Sequence, residues 1–243
     1  MAAHGLITPM PRYAVFSNLG AERPETYTWL KQLARLIPFP IKWLQPGSIT
    51  NYALQSTVTR KTETEHLNRL FPQFYKAHGK TNIADRRCTT LFKILPIRRQ
   101  HHRHIKSGVV CWLGISTDEA IRMRDSDLLY LTNRYPLIEL KMSRQDCKQW
   151  LTDHGYPLPP KSSCVFCPFQ KDAQWRDLQD NHPQLFQNAC KLELAIQDRQ
   201  NQIDPDGPQM FFHRSCVTLS EAKFTATDRT NGFGNDCSGF CGT

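Results

Sequence analysis

Two cysteines separated by two residues and followed by a proline, Cys164-Val165-Phe166-Cys167-Pro168, could bind a metal ion. A turn with this spacing points both thiolates at one ion or cluster, and the proline fixes the direction in which the chain leaves. The same C-x2-C-P form occurs in iron–sulfur proteins. A second close pair, Cys237 and Cys241, lies near the end of the sequence. The pattern predicts a metal site at Cys164 and Cys167, and the alternative is a pair of buried free thiols.

The use of cysteine agrees with this prediction. The 243 residues include nine cysteines, and the N-terminal residues show no basic segment followed by an apolar one, so we expect no secretory signal. Outside secretory compartments, cysteines are metal ligands or reduced core thiols rather than a disulfide framework. Three others, Cys111, Cys147 and Cys190, lie among apolar residues and are expected in the core. We therefore expect a cytoplasmic protein.

Charge indicates the kind of partner. The sequence has 31 Lys and Arg against 22 Asp and Glu, a formal charge of +9. A basic surface attracts polyanions, so nucleotides, DNA and tRNA are candidate partners, and the alternative is a basic enzyme without such a partner. No stretch approaches the roughly 18 apolar residues of a membrane span, so we expect no membrane association.

A βαβ unit is predicted at the N-terminal end. Residues 13–18 have the character of a short buried strand, residues 26–36 carry apolar side chains at helical spacing after Pro24, and residues 41–44 form a second apolar run. Such a unit builds a parallel sheet, and ligands of parallel sheets bind beyond the carboxyl ends of the strands. This places Ser17 and Asn18 beside a candidate nucleotide crevice.

The remaining elements follow from similar patterns. Strands are predicted at 109–115 and 135–138, and a helix is predicted to begin at Ser116 or Thr117. Further predictions are helices at 67–75, 89–99, 143–154, 173–178 and 185–200, and a polar loop at 80–87.

Several of these segments together resemble the phosphoadenosine phosphosulfate (PAPS) reductase-like proteins of the adenine nucleotide alpha hydrolase, or PP-loop, superfamily. The resemblance is greatest to the branch found in bacteria and phages. The segments that carry it are residues 15–29, Arg87-Cys88-Thr89-Thr90-Leu91-Phe92-Lys93-Ile94-Leu95-Pro96-Ile97, residues 112–127, 135–139 and 155–169, and Phe212-His213-Arg214-Ser215.

The resemblance implies an α/β fold, a Rossmann-like parallel sheet flanked by helices, with a Cys-rich C-terminal appendage. Residues 1–155 would be the adenine nucleotide alpha hydrolase-like domain, truncated at its N-terminus, and residues 156–243 a helical and Cys-rich metal-binding region. Proteins of this superfamily bind ATP or PAPS. Some reduce the sulfate, and others adenylate a nucleic acid or small molecule so that sulfur or nitrogen displaces AMP.

Sulfur-handling members of the superfamily often carry a [4Fe-4S] cluster. A cysteine before a basic helix joins a later C-x2-C pair as ligands, which implies Cys88, Cys164 and Cys167 here. The fourth ligand would be Cys237 or Cys241. Zinc is the alternative, because it also takes four thiolates.

The resemblance also implies a substrate site. The basic residues Arg86, Arg87 and Lys93 would face phosphate or sulfate, and their alternative is a solvated helix face. Four polar residues follow the strand predicted at 109–115, so the rule for ligands of parallel sheets places them at the nucleotide site, and their alternative is ordinary helix capping: Ser116, Asp118, Glu119 and Arg122. The His213-Arg214-Ser215 segment is either an anion site or a surface turn.

One feature of the superfamily is missing from the sequence. The phosphate loop, a Ser-Gly-Gly-x-Asp-Ser turn whose backbone N–H groups hold pyrophosphate, has no counterpart here. Either the natural start lies upstream of Met1, or the chain is a decayed copy. Two functions are therefore predicted: a PAPS reductase-like oxidoreductase or ATP-dependent sulfur transferase, and an inactive metal-binding scaffold or nucleic-acid-binding relic.

Overall fold

The computed structural model describes residues 1–58, 65–67, 70–102 and 104–225. Their strands are β1 (Ala14–Ser17), β2 (Ile41–Leu44), β3 (Ser56–Val58), β4 (Glu65–Leu67), β5 (Phe74–Ala77), β6 (Lys80–Ile83), β7 (Val109–Trp112) and β8 (Leu131–Arg134). Their α-helices are α1 (Pro24–Leu36), α2 (Ile49–Leu54), α3 (Leu95–His102), α4 (Pro136–Glu139), α5 (Arg144–Asp153), α6 (Asp172–Asn181) and α7 (Pro183–Ile203). A π-helix, Thr90–Ile94, runs directly into α3, and 3₁₀-helices lie at Ala2–His4 and Thr117–Arg122.

The N-terminal βαβ unit is confirmed. Strands β1 and β2 pair in parallel, with Ala14 opposite Ile41 and Ser17 opposite Leu44. Helix α1 begins at Pro24, whose missing N–H costs nothing in a first helical turn. The carboxyl ends of both strands therefore lie at one edge, as predicted.

A second parallel pair joins β7 to β8, with Val109 opposite Leu131. The strand predicted at 135–138 is wrong, because Pro136 begins α4 and a proline cannot donate to a strand ladder. The helix predicted at Ser116 is the short 3₁₀-helix. Helix α5 begins with the predicted cap: Ser143 and Asp146 form a reciprocal capping box.

The middle of the chain differs from its prediction. Instead of a helix at 67–75 and a loop at 80–87, the structure has the end of β4 and an antiparallel hairpin of β5 and β6. His78 and Gly79 join the two strands with φ of 51° and 72°. Two positive φ values give the turn the twist that a tight hairpin needs. A second antiparallel pair joins β3 to β4.

The core lies around the two C-terminal helices. Trp175 and Leu178 of α6 and Ala189 of α7 are fully buried. They belong to one apolar cluster with residues from the N-terminal half, including Leu19 and Ile49. The core therefore draws on both of the regions predicted at 1–155 and 156–243.

The described chain is thus a mixed α/β protein whose strands form two parallel and two antiparallel pairs. Within it, no helix combines the length and the apolar character that crossing a bilayer requires.

Candidate functional site

The Cys164–Cys167 turn lies at the start of α1. Its backbone closes through a hydrogen bond from Cys167 N to Cys164 O at 3.0 Å. Val165 N donates to Ala21 O at 2.8 Å, and Cys164 forms an isolated bridge with Glu22. These bonds fix the turn against the segment that leads from β1 into α1, close to the carboxyl end of the first strand.

Cys88 is distant from Cys164 and Cys167 in the sequence but lies close to their turn in the structure. Its backbone N–H donates to Leu70 O at 3.1 Å, and its side chain and that of Cys164 pack against the same apolar core. Burial, the Glu22 carboxylate and Cys167 raise the pKa of the Cys164 thiol well above its ordinary value, while Lys93 lowers it and Cys88 raises it further. Cys88, Cys164 and Cys167 therefore share one electrostatic environment.

Charged side chains surround these thiols. Glu22 is only 6% exposed. Lys93 lies on the π-helix that follows Cys88, and the Arg86 guanidinium lies over the ring of Phe169 at 5.8 Å, two residues beyond Cys167. Arg87, by contrast, is exposed to solvent. Two of the three predicted basic residues thus lie beside the cysteine turn.

The three thiols have the chemistry of a zinc or iron–sulfur ligand set, since all three are soft donors. Among the described residues, however, no group of three or more His, Cys, Asp or Glu side chains is already spaced to hold an ion. Binding would require the thiols to move closer together and a fourth donor to join them. The predicted fourth ligands, Cys237 and Cys241, lie outside the described residues.

Ser17 and Asn18 occupy the predicted edge but hold the scaffold. The buried Ser17 hydroxyl donates to the carbonyl of Phe92 in the π-helix. The Asn18 side-chain oxygen accepts from Gly20 N at 3.0 Å and from the Tyr27 hydroxyl at 2.9 Å. Ser17 therefore attaches the Cys88 segment to β1, and Asn18 shapes the turn that enters α1.

Replacing Ser17 with alanine should lower the free energy of unfolding by about 1 kcal/mol, because a buried carbonyl loses a donor. Denaturant unfolding measures this. Ser107→Ala is the matched control, since the Ser107 hydroxyl also donates to a carbonyl, that of His104, but at the surface. Equal effects of the two substitutions would contradict the role assigned to Ser17.

The four polar residues after β7 form one network. Glu119 accepts from Arg122 at 2.6 Å and from Arg144 at 2.9 Å. Asp118 accepts from the backbone N–H of Arg144 and from the Ser116 hydroxyl. These bonds connect the 3₁₀-helix to the start of α5. The network accounts for these side chains structurally, and their role in nucleotide binding stays a prediction.

Two buried acids at this end of the molecule were missed by the sequence analysis. Glu22 lies beside Cys164, and Asp172, 5% exposed, lies at the first position of α6. Asp172 contacts His213 and Arg214 of the segment predicted as an anion site or surface turn. A residue at the first turn of a predicted helix is usually exposed, so no local signal marked Asp172.

Comparison with known proteins adds one relative. No family model matches the chain, and no solved structure matches it. The chain is 25% identical over 200 residues to a curated protein of Escherichia phage lambda, "Uncharacterized nin region protein ORF290". The alignment covers 78% of this chain and 63% of the phage protein, so the chain spans less than two thirds of that relative's length. This relative agrees with a phage or bacterial origin.

Proposed function

We propose that this chain is a PAPS reductase-like protein of the adenine nucleotide alpha hydrolase superfamily. It would perform sulfur or adenylyl transfer on an adenylated substrate or a nucleic acid. The observation that supports this most is that Cys88, which is far from Cys164 and Cys167 in sequence, packs against the same core as Cys164 and acts electrostatically on the Cys164 thiol beside the carboxyl end of β1. The parallel β1–β2 and β7–β8 pairs are compatible with parts of a Rossmann-like sheet.

Each part of the site has a role in this proposal. Cys88, Cys164, Cys167 and one C-terminal cysteine would hold a [4Fe-4S] cluster, or zinc. A bound cluster supplies electron transfer or an acceptor for sulfur, and zinc would only hold the fold. Lys93 and Arg86 attract the phosphate or sulfate of the substrate to this edge, since cations bind these groups strongly.

The second candidate is an inactive scaffold that binds metal or nucleic acid. It is favoured by the turn after β1, because the backbone N–H of Gly20 already donates to the Asn18 side-chain oxygen at 3.0 Å and so is not available to a phosphate group. Both candidates share the metal site and differ in nucleotide binding.

The full chain, purified without oxygen, tests the proposal. We expect about four iron and four sulfide per chain with visible absorbance and a brown colour, and heat of binding when ATP or PAPS is added in a titration calorimeter. Metal without nucleotide binding would favour the scaffold. A chain that takes up neither iron nor zinc during reconstitution would contradict both candidates.

A further inference from the structure

A serine and a histidine that follow α7 form a continuous hydrogen-bonded chain with an aspartate at the start of α6. The Ser215 hydroxyl lies 2.7 Å from Nδ1 of His213, and Nε2 of His213 lies 3.2 Å from a carboxylate oxygen of Asp172. His213 and Asp172 are buried, at 4% and 5% exposure, whereas Ser215 is exposed. A buried acid therefore connects through a buried imidazole to a hydroxyl that solvent can reach.

The hydrogen bonds determine the tautomer of His213. The backbone N–H of Ser215 also points at Nδ1, at 3.3 Å, and an N–H can only donate. Nδ1 must then be the acceptor, so the ring proton sits on Nε2 and faces Asp172. A neutral imidazole with its lone pair directed at a serine hydroxyl is the arrangement that a general base requires.

Asp172 is held as a carboxylate. Burial raises its pKa, but the backbone N–H of Thr225, His213 and the Thr225 hydroxyl outweigh burial, so the pKa lies below its usual value. Both Thr225 donors lie 3.1 Å from one carboxylate oxygen, and Arg214 donates to the other at 3.1 Å. A negative charge at this position stabilises the imidazolium that forms when His213 takes a proton.

We propose that Ser215 is a nucleophile that attacks phosphoric esters and anhydrides, with His213 as its general base and Asp172 as the positioning residue. The Ser215 oxygen forms a bond to phosphorus while the bond to the leaving group breaks. The hydroxyl proton passes to Nδ1 of His213, and the leaving group departs with the bonding electrons. Arg214, whose 58% exposed side chain donates to Asp172 at 3.1 Å, adds a positive charge at this site, which favours the anionic phosphate group as the substrate.

This proposal does not depend on a bound metal or on the PAPS reductase-like function, although the two sites are neighbours. The rings of Phe166, inside the cysteine turn, and Phe212, next to His213, stack at 6.2 Å. The competing explanation is purely local: His213 is the first residue of a turn, closed by Cys216 N donating to His213 O at 3.0 Å, and its ring would only cap that turn. A capping ring predicts no unusual reactivity at Ser215.

The test is reaction of the purified full chain with a fluorophosphonate, followed by mass spectrometry of the modified peptides. We expect Ser215 to be labelled about 100-fold faster than Ser220, an exposed serine of the same segment, which corresponds to the usual effect of a general base. Ser215→Ala should remove the fast labelling reaction of the chain, and Ser220→Ala should leave the fast reaction unchanged. Asp172→Asn should slow it at least about tenfold.

The comparison of Ser215 with Ser220 in the unaltered protein decides the question even if Asp172→Asn does not fold. Labelling at Ser215 no faster than at Ser220 would overturn the proposal in favour of the turn cap.

Discussion

Replacing Cys164 with serine is expected to remove nearly all bound iron or zinc from the reconstituted protein. Burial raises the pKa of the Cys164 thiol, and Glu22, Cys167 and Cys88 raise it further, so Cys164 is in electrostatic contact with both of the other predicted ligands. A serine hydroxyl has a much higher pKa than a thiol and is a poor ligand for either metal. Metal, sulfide and protein analyses of the same sample give the metal content per chain.

Cys147→Ser is the matched control for this substitution. Cys147 is half-buried on α5, and the groups that alter its pKa besides burial are the charged side chains Asp146, Asp118 and Arg144, not other thiols. Its replacement should leave the metal content unchanged. If Cys164→Ser keeps the full metal content, the cysteine turn is not a metal site.

Cys88→Ser separates a shared site from a two-cysteine turn. If Cys88 is a ligand with Cys164 and Cys167, its loss should lower the metal content as severely as the loss of Cys164. A [4Fe-4S] cluster needs four thiolates, so Cys237→Ser and Cys241→Ser identify which C-terminal cysteine completes the set. Full metal content in Cys88→Ser would exclude the shared site while leaving the turn as a candidate.

Local patterns predicted those parts of the fold that local forces decide. Pro24 and the apolar spacing after it marked α1, and Ser143 with Asp146 marked the start of α5. Pairing between distant segments was harder to predict. Residues 135–138 are apolar enough for a strand, but Pro136 favours a helical turn there. The β5–β6 hairpin was missed because His78 and Gly79 are a less familiar turn pair than Asn-Gly.

The candidate site shows the same difference between features set by local sequence and features set by contacts between distant segments. The spacing of Cys164 and Cys167 was sufficient to predict their shared turn, whereas only the resemblance to a family linked them to Cys88, more than seventy residues away. Ser17 and Asn18 were placed at the correct strand end, but their bonding to Phe92 and to the turn could not be derived from spacing. Glu22 and Asp172 have no sequence signal because tertiary packing alone buries them.

Glu193→Ala is expected to have the largest effect on stability, lowering the free energy of unfolding by about 4 kcal/mol. The Glu193 side chain of α7 is completely buried and accepts from the backbone N–H groups of Phe212 and Leu219, both at 2.6 Å. Alanine would leave two buried donors unsatisfied, each at a cost of about 1–3 kcal/mol. Asp198→Ala, at an exposed position of the same helix, should change little. Denaturant unfolding of both variants gives the comparison.

The same carboxyl should make stability depend on pH. Burial raises the pKa of Glu193 from 4.5 to about 7, although the two backbone donors oppose the shift, and Glu221 adds to it. The folded chain therefore holds this proton over a range where the unfolded chain has lost it. The stabilisation is complete below pH 4.5 and is lost as the pH rises through about 7.

Glu193→Gln cannot titrate, so the difference in unfolding free energy between the unaltered protein and this variant should shrink steadily across that range. A difference that stays constant, or grows with pH, would show that the two backbone donors outweigh burial and that Glu193 is already ionised in the folded protein.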